Sequence, residues 1–125
     1  MILVDTSVWI EHFRRGQPRL VAALEREDVL VHPFVRGELA CGNLRNRREI
    51  LDHLGRLPRA PSATDDEALS FIESRSLSGR GIGYVDVHLL ASTSLHAAAR
   101  LWTLDRHLVQ VAGELGLLQV FDARV

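Results

Sequence analysis

The sequence predicts an α/β fold in which helices cover both faces of a mostly parallel sheet. Short apolar segments, typical of buried strands, alternate along the chain with longer segments of helical spacing. Parallel strands need crossover connections, and the intervening helices supply them. A chain of 125 residues can bury one core, so we expect a single domain that spans residues 1–125.

The N-terminal half of the chain is expected to contain two strands and three helices. Thr6 and Ser7 offer hydroxyls that can cap a helix directly after the first strand. Pro33 suits the first turn of a helix. In order, the predicted elements are a strand at residues 2–5, a helix that follows it, a helix at residues 19–27, a strand at residues 29–31 and a helix that Pro33 opens.

The C-terminal half is expected to contain four helices and two strands. Thr64, with Glu67 three residues later, is typical of a helix N-terminus. Residues 78–83 include three glycines and are predicted to form a flexible loop. In order, the predicted elements are a helix from residue 47 to the proline at 58, a helix that Thr64 caps, a helix at 84–97, a strand at 100–104, a helix at 106–115 and a strand at 118–121.

The composition excludes several classes of protein. All fifteen basic residues are arginine, so a Walker A phosphate loop, a Schiff-base lysine and the phosphoacceptor site of a receiver domain are excluded. A net charge of -1 argues against a broadly basic surface for nucleic acid. Two local clusters can pair with phosphate, although solvated helix surfaces are the alternative: Arg14, Arg15 and Arg19, and Arg45, Arg47 and Arg48.

We expect a cytoplasmic protein that has no membrane partner. No apolar run approaches the ~20 residues of a membrane span. The N-terminus lacks the basic and apolar regions of a secretory signal. Cys41 is the only cysteine, which rules out an internal disulfide and fits a reducing compartment. We expect Cys41 to be a small buried residue of a helix.

Four acidic side chains are candidates for a polar site: Asp5, Glu38, Asp86 and Asp105. Asp5 and Asp105 end predicted strands, and ligands bind beyond the carboxyl ends of parallel strands. Glu38 and Asp86 lie among apolar residues of predicted helices, where a free carboxylate needs a partner. Helix capping is the alternative role of Asp5 and Asp105, and interaction with the helix dipole is the alternative role of Asp86.

If the fold brings these carboxylates together, a cation must offset their repulsion. Two like charges 4 Å apart repel by about 1 kcal/mol in water and by roughly 4 kcal/mol at an effective dielectric near 20. An all-oxygen set suits Mg²⁺ or Mn²⁺ rather than zinc, and such ions catalyse phosphodiester hydrolysis. The six histidines show no paired ligand spacing, so we expect them to be surface residues or hydrogen-bonded core residues.

Around these acids the chain resembles the PIN-domain ribonucleases, and specifically the VapC toxins of bacterial type II toxin–antitoxin systems. Four segments carry the resemblance, in the family's order: ILVDTSVWIEHFR, VHPFVRGELACGNL, GRGIGYVDVHLLAS and ARLWTLDRHL. The resemblance implies a three-layer α/β/α sandwich, a PIN domain with a central, mostly parallel sheet of four to five strands. It also implies a homodimeric, Mg²⁺-dependent endoribonuclease, in which Mn²⁺ can substitute, and a VapB-type antitoxin that inhibits it.

The resemblance also implies roles for individual residues. Asp5 and Asp86 match the principal metal ligands of the catalytic site, and Glu38 and Asp105 match the carboxylates that complete it, directly or through water. Three polar neighbours match residues that help to orient the ligands or water: Thr6, Ser7 and Thr103.

Other functions are considered beside this one. A catalytically silent PIN-like binding module and a housekeeping PIN nuclease of RNA maturation both fit the same pattern. A phosphatase of the haloacid-dehalogenase type, with Asp5 as nucleophile, would need an aspartate at Ser7 and a lysine, and the chain has neither. The RNA target cannot be derived from the sequence, because groove shape and loop contacts determine it.

Overall fold

The computed structural model of the protein describes residues 1–121, which form three strands and seven helices. The strands are β1 (Ile2–Val4), β2 (Val29–Leu30) and β3 (Arg100–Trp102). The helices are α1 (Thr6–Arg15), α2 (Pro18–Glu25), α3 (Pro33–Cys41), α4 (Arg47–Arg56), α5 (Asp65–Ser74), α6 (Tyr84–Leu95) and α7 (Arg106–Glu114).

The strands form one parallel sheet with β1 in the centre, in the order β2-β1-β3. All three residues of β1 are buried. Because successive side chains of a strand point to opposite faces, both faces of the sheet must be covered. The predicted α/β fold, with helices on both faces of a parallel sheet, is confirmed.

The predicted number of strands is wrong. Four to five were expected, whereas residues 1–121 contain three. Arg59 and Leu118 each form only one isolated bridge, to Val31 and Leu101 respectively. Pro58 and Pro61 flank Arg59 and have no backbone N–H to donate, so that segment cannot extend its pairing. The predicted strand at 118–121 is likewise reduced to the bridge at Leu118.

Helix boundaries follow the sequence signals closely. The Thr64 hydroxyl accepts a hydrogen bond from the Glu67 N–H at 3.1 Å, and Glu67 Oε1 accepts one from the Thr64 N–H at 3.0 Å. This reciprocal capping begins α5 where it was predicted. Helix α6 ends at Leu95, two residues earlier than expected, because His96 adopts an extended backbone.

The core surrounds the sheet and extends along α6, in which every residue from Val87 to Thr93 is buried. The expectation for Cys41 is wrong. It is the last residue of α3, but it is exposed, because the helix ends there and the chain turns outward at Gly42. No helix within residues 1–121 has the length and apolar character needed to cross a membrane.

Candidate metal and active site

The parallel register places two of the four acids at the same edge of the sheet. Val4 of β1 lies opposite Trp102 of β3, so Asp5 and Thr103 follow at the carboxyl ends of neighbouring strands. The Asp5 N–H donates to the Trp102 carbonyl at 2.9 Å, which continues the strand pairing by one residue. Asp105 follows two residues later, at the beginning of α7.

Asp5 is a buried carboxylate supported by two hydroxyls. Its side chain is 6% exposed. Its Oδ2 accepts hydrogen bonds from Ser7 Oγ at 2.7 Å and from Thr103 Oγ1 at 2.8 Å. The same hydroxyls accept hydrogen bonds from the N–H groups of Leu104 and Asp105. Asp5 stands before α1 but makes no capping bond with its side chain, so capping does not explain its position.

Glu38 reaches the site from the exposed side of α3. Its Oε1 accepts a hydrogen bond of 2.6 Å from the Thr6 hydroxyl. Thr6 is the first residue of α1, immediately after Asp5. This contact fixes α3 against the beginning of α1 and brings a second carboxylate to the carboxyl edge of the sheet.

Asp86 lies within the electrostatic influence of the three other acids. It lies in the first turn of α6, and its Oδ2 accepts a hydrogen bond from the Gly83 N–H at 3.0 Å. Burial raises the pKa of Asp86, and the negative charges of Asp5, Asp105 and Glu38 raise it further, against the opposing effect of the Gly83 hydrogen bond. Asp86 therefore experiences the charge of all three other acids.

Asp105 has a structural role as well as a place in the cluster. Its Oδ1 accepts a hydrogen bond from the Leu108 N–H at 3.0 Å, which caps α7. The capping alternative is thus correct for one of its oxygens. Its own N–H donates to the Thr103 hydroxyl, which ties the cap to the support of Asp5.

The hydrogen bonds of the four carboxylates follow the same pattern. Each uses one oxygen to accept a protein hydrogen bond: Asp5 Oδ2, Glu38 Oε1, Asp86 Oδ2 and Asp105 Oδ1. Within residues 1–121 no hydrogen bond reaches the other oxygen of any of them. As the side chains stand, no three His, Cys, Asp or Glu residues of this part of the chain are close enough to ligate one ion. Ligation of one ion by three or four of them would therefore need a rearrangement of their side chains.

The glycine-containing loop that precedes Asp86 is anchored to α7. Arg80 donates two hydrogen bonds to the Glu114 carboxylate, at 2.8 and 2.9 Å. Gly81 has a φ of +79°, and a Cβ there would approach the His107 ring to 3.1 Å. A larger residue at 81 would be strained and crowded, so glycine permits the loop to pack closely against α7.

A cleft of about 690 Å³ opens beside Glu38, between α1, α3 and the loop at residues 42–46. Arg14 and Arg45, one from each predicted arginine cluster, line it. Other members of these clusters have structural contacts. Arg47 donates to the Ala40 carbonyl, and the Arg19 guanidinium lies 4.9 Å from the centre of the Phe121 ring. Of the six clustered arginines, Arg14 and Arg45 are the two that line this cleft in the part of the chain that the structure describes.

Sequence analysis missed an aromatic cluster near the site. His32 and His88 are 1% and 2% exposed, yet the Nε2 atom of each has no hydrogen-bond partner within residues 1–121. Both are thus core residues, one of the two expected placements, but their hydrogen bonding within residues 1–121 is incomplete: His32 accepts from the Phe34 N–H through Nδ1, and Asp65 Oδ1 lies 3.6 Å from His88 Nε2. Phe34 and Tyr84 contact His88 and remain exposed to solvent. The spacing of Tyr84 and His88, four residues apart on one helix, was the available signal.

Comparisons with known proteins agree with this architecture. The family model described as PIN domain matches residues 2–114. Ribonuclease VapC32 of Mycobacterium tuberculosis, from the CDC 1551 / Oshkosh strain and the ATCC 25618 / H37Rv strain, is 47% identical over 117 residues, which cover 94% of each chain.

Two solved structures share the fold. The crystal structure of FitAcB from Neisseria gonorrhoeae has a TM-score of 0.61 at 21% identity and covers 98% of this chain and 97% of its own. The structure of FitAB bound to an IR36 DNA fragment has a TM-score of 0.62 at 22% identity, with 97% and 94% covered. At such identities the likeness concerns the fold, whereas the similarity to VapC32 extends along the sequence. The chain belongs to the PIN-domain family and, within it, to the VapC ribonucleases.

Proposed function

We propose that this chain, a toxin nuclease of the VapC family, hydrolyses RNA phosphodiester bonds with a divalent ion held by Asp5, Glu38, Asp86 and Asp105. Mg²⁺ is the proposed ion, and Mn²⁺ should substitute for it. The observation that carries the proposal is the concentration of negative charge at one edge of the sheet, where the pKa of Asp86 is raised partly by the three other acids.

The donor set fits a hard divalent cation. All four side chains offer carboxylate oxygens, which suit Mg²⁺ and Mn²⁺ better than zinc. Each keeps one oxygen outside the hydrogen bonds within residues 1–121, so ligation need not break the contacts that position the side chains. When bound, such an ion activates water and stabilises the charge that develops on the phosphate.

The exposure and the contacts of these residues indicate different roles for them. Asp5 and Asp86 are proposed as the principal ligands, because they are the two least exposed of the four carboxylates. Glu38 and Asp105 are exposed and complete the set, directly or through water. Ser7 and Thr103 orient Asp5, and Thr6 orients Glu38, through the hydrogen bonds of their hydroxyls.

The cleft beside Glu38 is the proposed path of the RNA. Arg14 and Arg45 line it and can each pair with a backbone phosphate through the planar guanidinium group. The protein has a net charge of -1, so these local cations, rather than the overall field, would hold the substrate.

A VapB-type antitoxin is the proposed inhibitor, the protein is proposed to act as a homodimer, and its proposed location is the cytoplasm. Family membership supports these assignments. The apolar faces of α4 and α5 are the proposed dimer contact, and Leu69 on α5 is 53% exposed. Co-expression with the product of an adjacent small reading frame tests the antitoxin: a stable complex that stops RNA cleavage is expected.

The central experiment compares two Asp→Asn substitutions at opposite ends of β1. Asp5→Asn removes a proposed ligand, whereas Asp28 lies near the amino end of β1, where it pairs with the N-terminal ammonium group at 3.2 Å. Cleavage of a labelled RNA in Mg²⁺ should fall by more than about 100-fold in Asp5→Asn, beyond the loss typical of supporting residues. Asp28→Asn should keep the wild-type rate.

The wild type and the same two variants are used to test whether cleavage depends on a divalent metal ion. Cleavage by the wild type should stop in EDTA and return with Mn²⁺. Mg²⁺ should raise the thermal midpoint of the wild type and of Asp28→Asn but not that of Asp5→Asn. Full metal-dependent cleavage by Asp5→Asn would refute the assignment of the site, and absence of cleavage by every preparation would favour a silent binding module.

A further inference from the structure

Two exposed aromatic rings lie between α3 and α6, on either side of a buried histidine. The centre of the His88 ring is 4.8 Å from that of Phe34 and 4.6 Å from that of Tyr84. Both contacts are edge-to-face, with interplanar angles of 69° and 89°. His88 itself is 2% exposed, while Phe34 and Tyr84 are 40% and 43% exposed. The buried histidine therefore contacts two rings that are partly exposed to solvent.

The two rings are held in place by further contacts. The Tyr84 hydroxyl donates to Asp65 Oδ1 at 2.9 Å. Phe34 also contacts the buried ring of His32, at 4.9 Å between centres. Since the Tyr84 hydroxyl is already hydrogen-bonded, what this side chain offers to a ligand is its partly exposed ring. Large aromatic side chains in fixed orientations can bind at low entropic cost.

The rings are close to the acidic cluster along both helices. Phe34 precedes Glu38 by four residues on α3, which is about 6 Å along the axis and places both on the same side of the helix. Tyr84 begins α6, two residues before Asp86. The aromatic pair and the proposed catalytic carboxylates therefore form neighbouring parts of one surface.

We propose that Phe34 and Tyr84, supported by His88, form a stacking platform for an unpaired base of the RNA substrate beside the acidic site. The inference rests on the proposed RNA-cleaving function and specifies part of its substrate site. Unpaired bases stack on aromatic side chains, and every base offers a π-face for such contact. The platform would thus favour a single-stranded segment or loop next to the scissile phosphate over a continuous duplex.

The small extent of the apolar surface argues against a protein as the occupant. Asp65, whose side chain is 82% exposed, stands beside the Tyr84 ring, so the apolar surface does not continue past it. Two rings are a small area compared with the roughly 800 Å² per partner of a stable protein interface. Arg59 adjoins Val31 and His32 and makes no ion pair or hydrogen bond within residues 1–121, so its charge is available to a flanking phosphate.

The test uses a short single-stranded RNA that the wild type cuts at one mapped position, and variants of it with one abasic nucleotide at each position near the cut. For the wild type, the abasic substitution at the stacked position should raise KM about 5-fold or more, with kcat little changed. Phe34→Leu and Tyr84→Leu should raise KM for the intact RNA by a similar factor. In these variants the abasic penalty at that position should largely disappear, because the stacking partner is already lost.

Matched variants separate stacking from folding. Phe34→Trp and Tyr84→Phe keep an aromatic face and should recover most of the affinity lost in the leucine variants. Leu95→Ala alters another exposed apolar side chain, on the C-terminal turn of α6, and serves as the control that should leave KM unchanged. Thermal midpoints establish that each variant is folded.

Three outcomes would overturn the platform. The leucine variants could keep the wild-type KM, they could keep the full abasic penalty, or they could change the oligomeric state in sedimentation, which would identify the surface as a protein interface. Each of these leaves the proposed ribonuclease function standing, because that function fails only if the wild-type protein does not cleave RNA, and its assignment to the acidic site fails only if Asp5→Asn retains full metal-dependent cleavage.

Discussion

The two sides of the acidic site are built differently. On the strand side, at the ends of β1 and β3, Asp5 accepts two hydroxyl hydrogen bonds, and the same hydroxyls accept from backbone N–H groups. On the helix side, formed by α3 and α6, Asp86 has a single backbone donor and the charges of three acids around it. Nearby, the Nε2 atoms of His32 and His88 lie buried without hydrogen-bond partners within residues 1–121.

The two sides therefore have different roles: the strand side positions a carboxylate, and the helix side brings negative charges close together. Hydrogen bonds that favour the ionised form stabilise a carboxylate, whereas burial and like charges destabilise it. The strand side therefore holds the proposed ligand Asp5 in position in the folded protein. On the helix side, Asp86 is repelled by the neighbouring acids, and a bound cation would offset this repulsion. The same Asp→Asn substitution should consequently affect folding stability in opposite directions on the two sides.

The largest effect is expected from Asp86→Asn, which should lower RNA cleavage by more than about 100-fold while stabilising the metal-free protein. Because the pKa of Asp86 is raised in the fold, the folded state binds protons more readily than the unfolded state. Its ionisation as the pH rises past the ordinary range of aspartate therefore costs stability. A neutral asparagine removes that cost and can still accept the Gly83 hydrogen bond. Urea unfolding at pH 7 in EDTA measures the change.

Asp5→Asn is the counterpart on the strand side. It weakens two hydrogen bonds to a charged acceptor, so the free energy of unfolding should fall by about 1 kcal/mol. If both substitutions shift stability in the same direction in EDTA, the contrast between the two sides is wrong.

A smaller loss of activity is expected from Thr103→Val, which removes the hydroxyl between Asp5 and the Asp105 N–H. Thr103 is 4% exposed, so both groups would lose a buried partner. We expect a 10- to 100-fold fall in cleavage or metal affinity and a loss of about 1–3 kcal/mol in the free energy of unfolding. Thr93→Val is the matched control, because among residues 1–121 this buried hydroxyl bonds only to the Leu89 carbonyl of its own helix. Equal losses of activity in the two variants would show that Thr103 has no particular role at the site.

The strand side could be predicted from the sequence far better than the helix side. Asp5 and Asp105 follow apolar strands, and parallel pairing necessarily brings such strand ends together. The capping of α5 by Thr64 depends on residues three positions apart, so it could also be predicted. In each case the interaction is local or follows directly from the topology.

The helix side depends on long-range packing that no local pattern encodes. The contacts among His32, Phe34 and His88 join α3 to α6 across more than fifty residues of sequence, and nothing in either segment specifies the other. The missing strand at 118–121 has a similar cause: its residues follow an apolar pattern, but within residues 1–121 its pairing with β3 is limited to one bridge, between Leu118 and Leu101. Exposure of Cys41 likewise depends on where α3 ends.

The effect expected at His32 is on stability alone, and it tests whether the helix side limits stability in acid. Burial lowers the pKa of His32 to about 4, with further contributions from His88 and Arg59. Above pH 6.5 the imidazole is neutral in both folded and unfolded states. As the pH falls below 6.5, only the unfolded state gains a proton, so stability is lost until the pH reaches about 4. Between pH 7 and pH 5 this loss should be about 2 kcal/mol.

His32→Asn should reduce that acid sensitivity. The Nδ1 atom of His32 accepts a hydrogen bond from the Phe34 N–H at 3.0 Å, and an asparagine oxygen can replace it at this helix N-terminus. His96→Asn is the matched control, since His96 Nδ1 accepts from the Ala98 N–H in the same way at a less buried position. The measurement is the change in urea-unfolding free energy between pH 7 and pH 5, which cancels any packing loss at neutral pH. If His32→Asn loses as much unfolding free energy between pH 7 and pH 5 as the wild type, the acid sensitivity arises at another residue. His32 would then not contribute to the difference between the two sides.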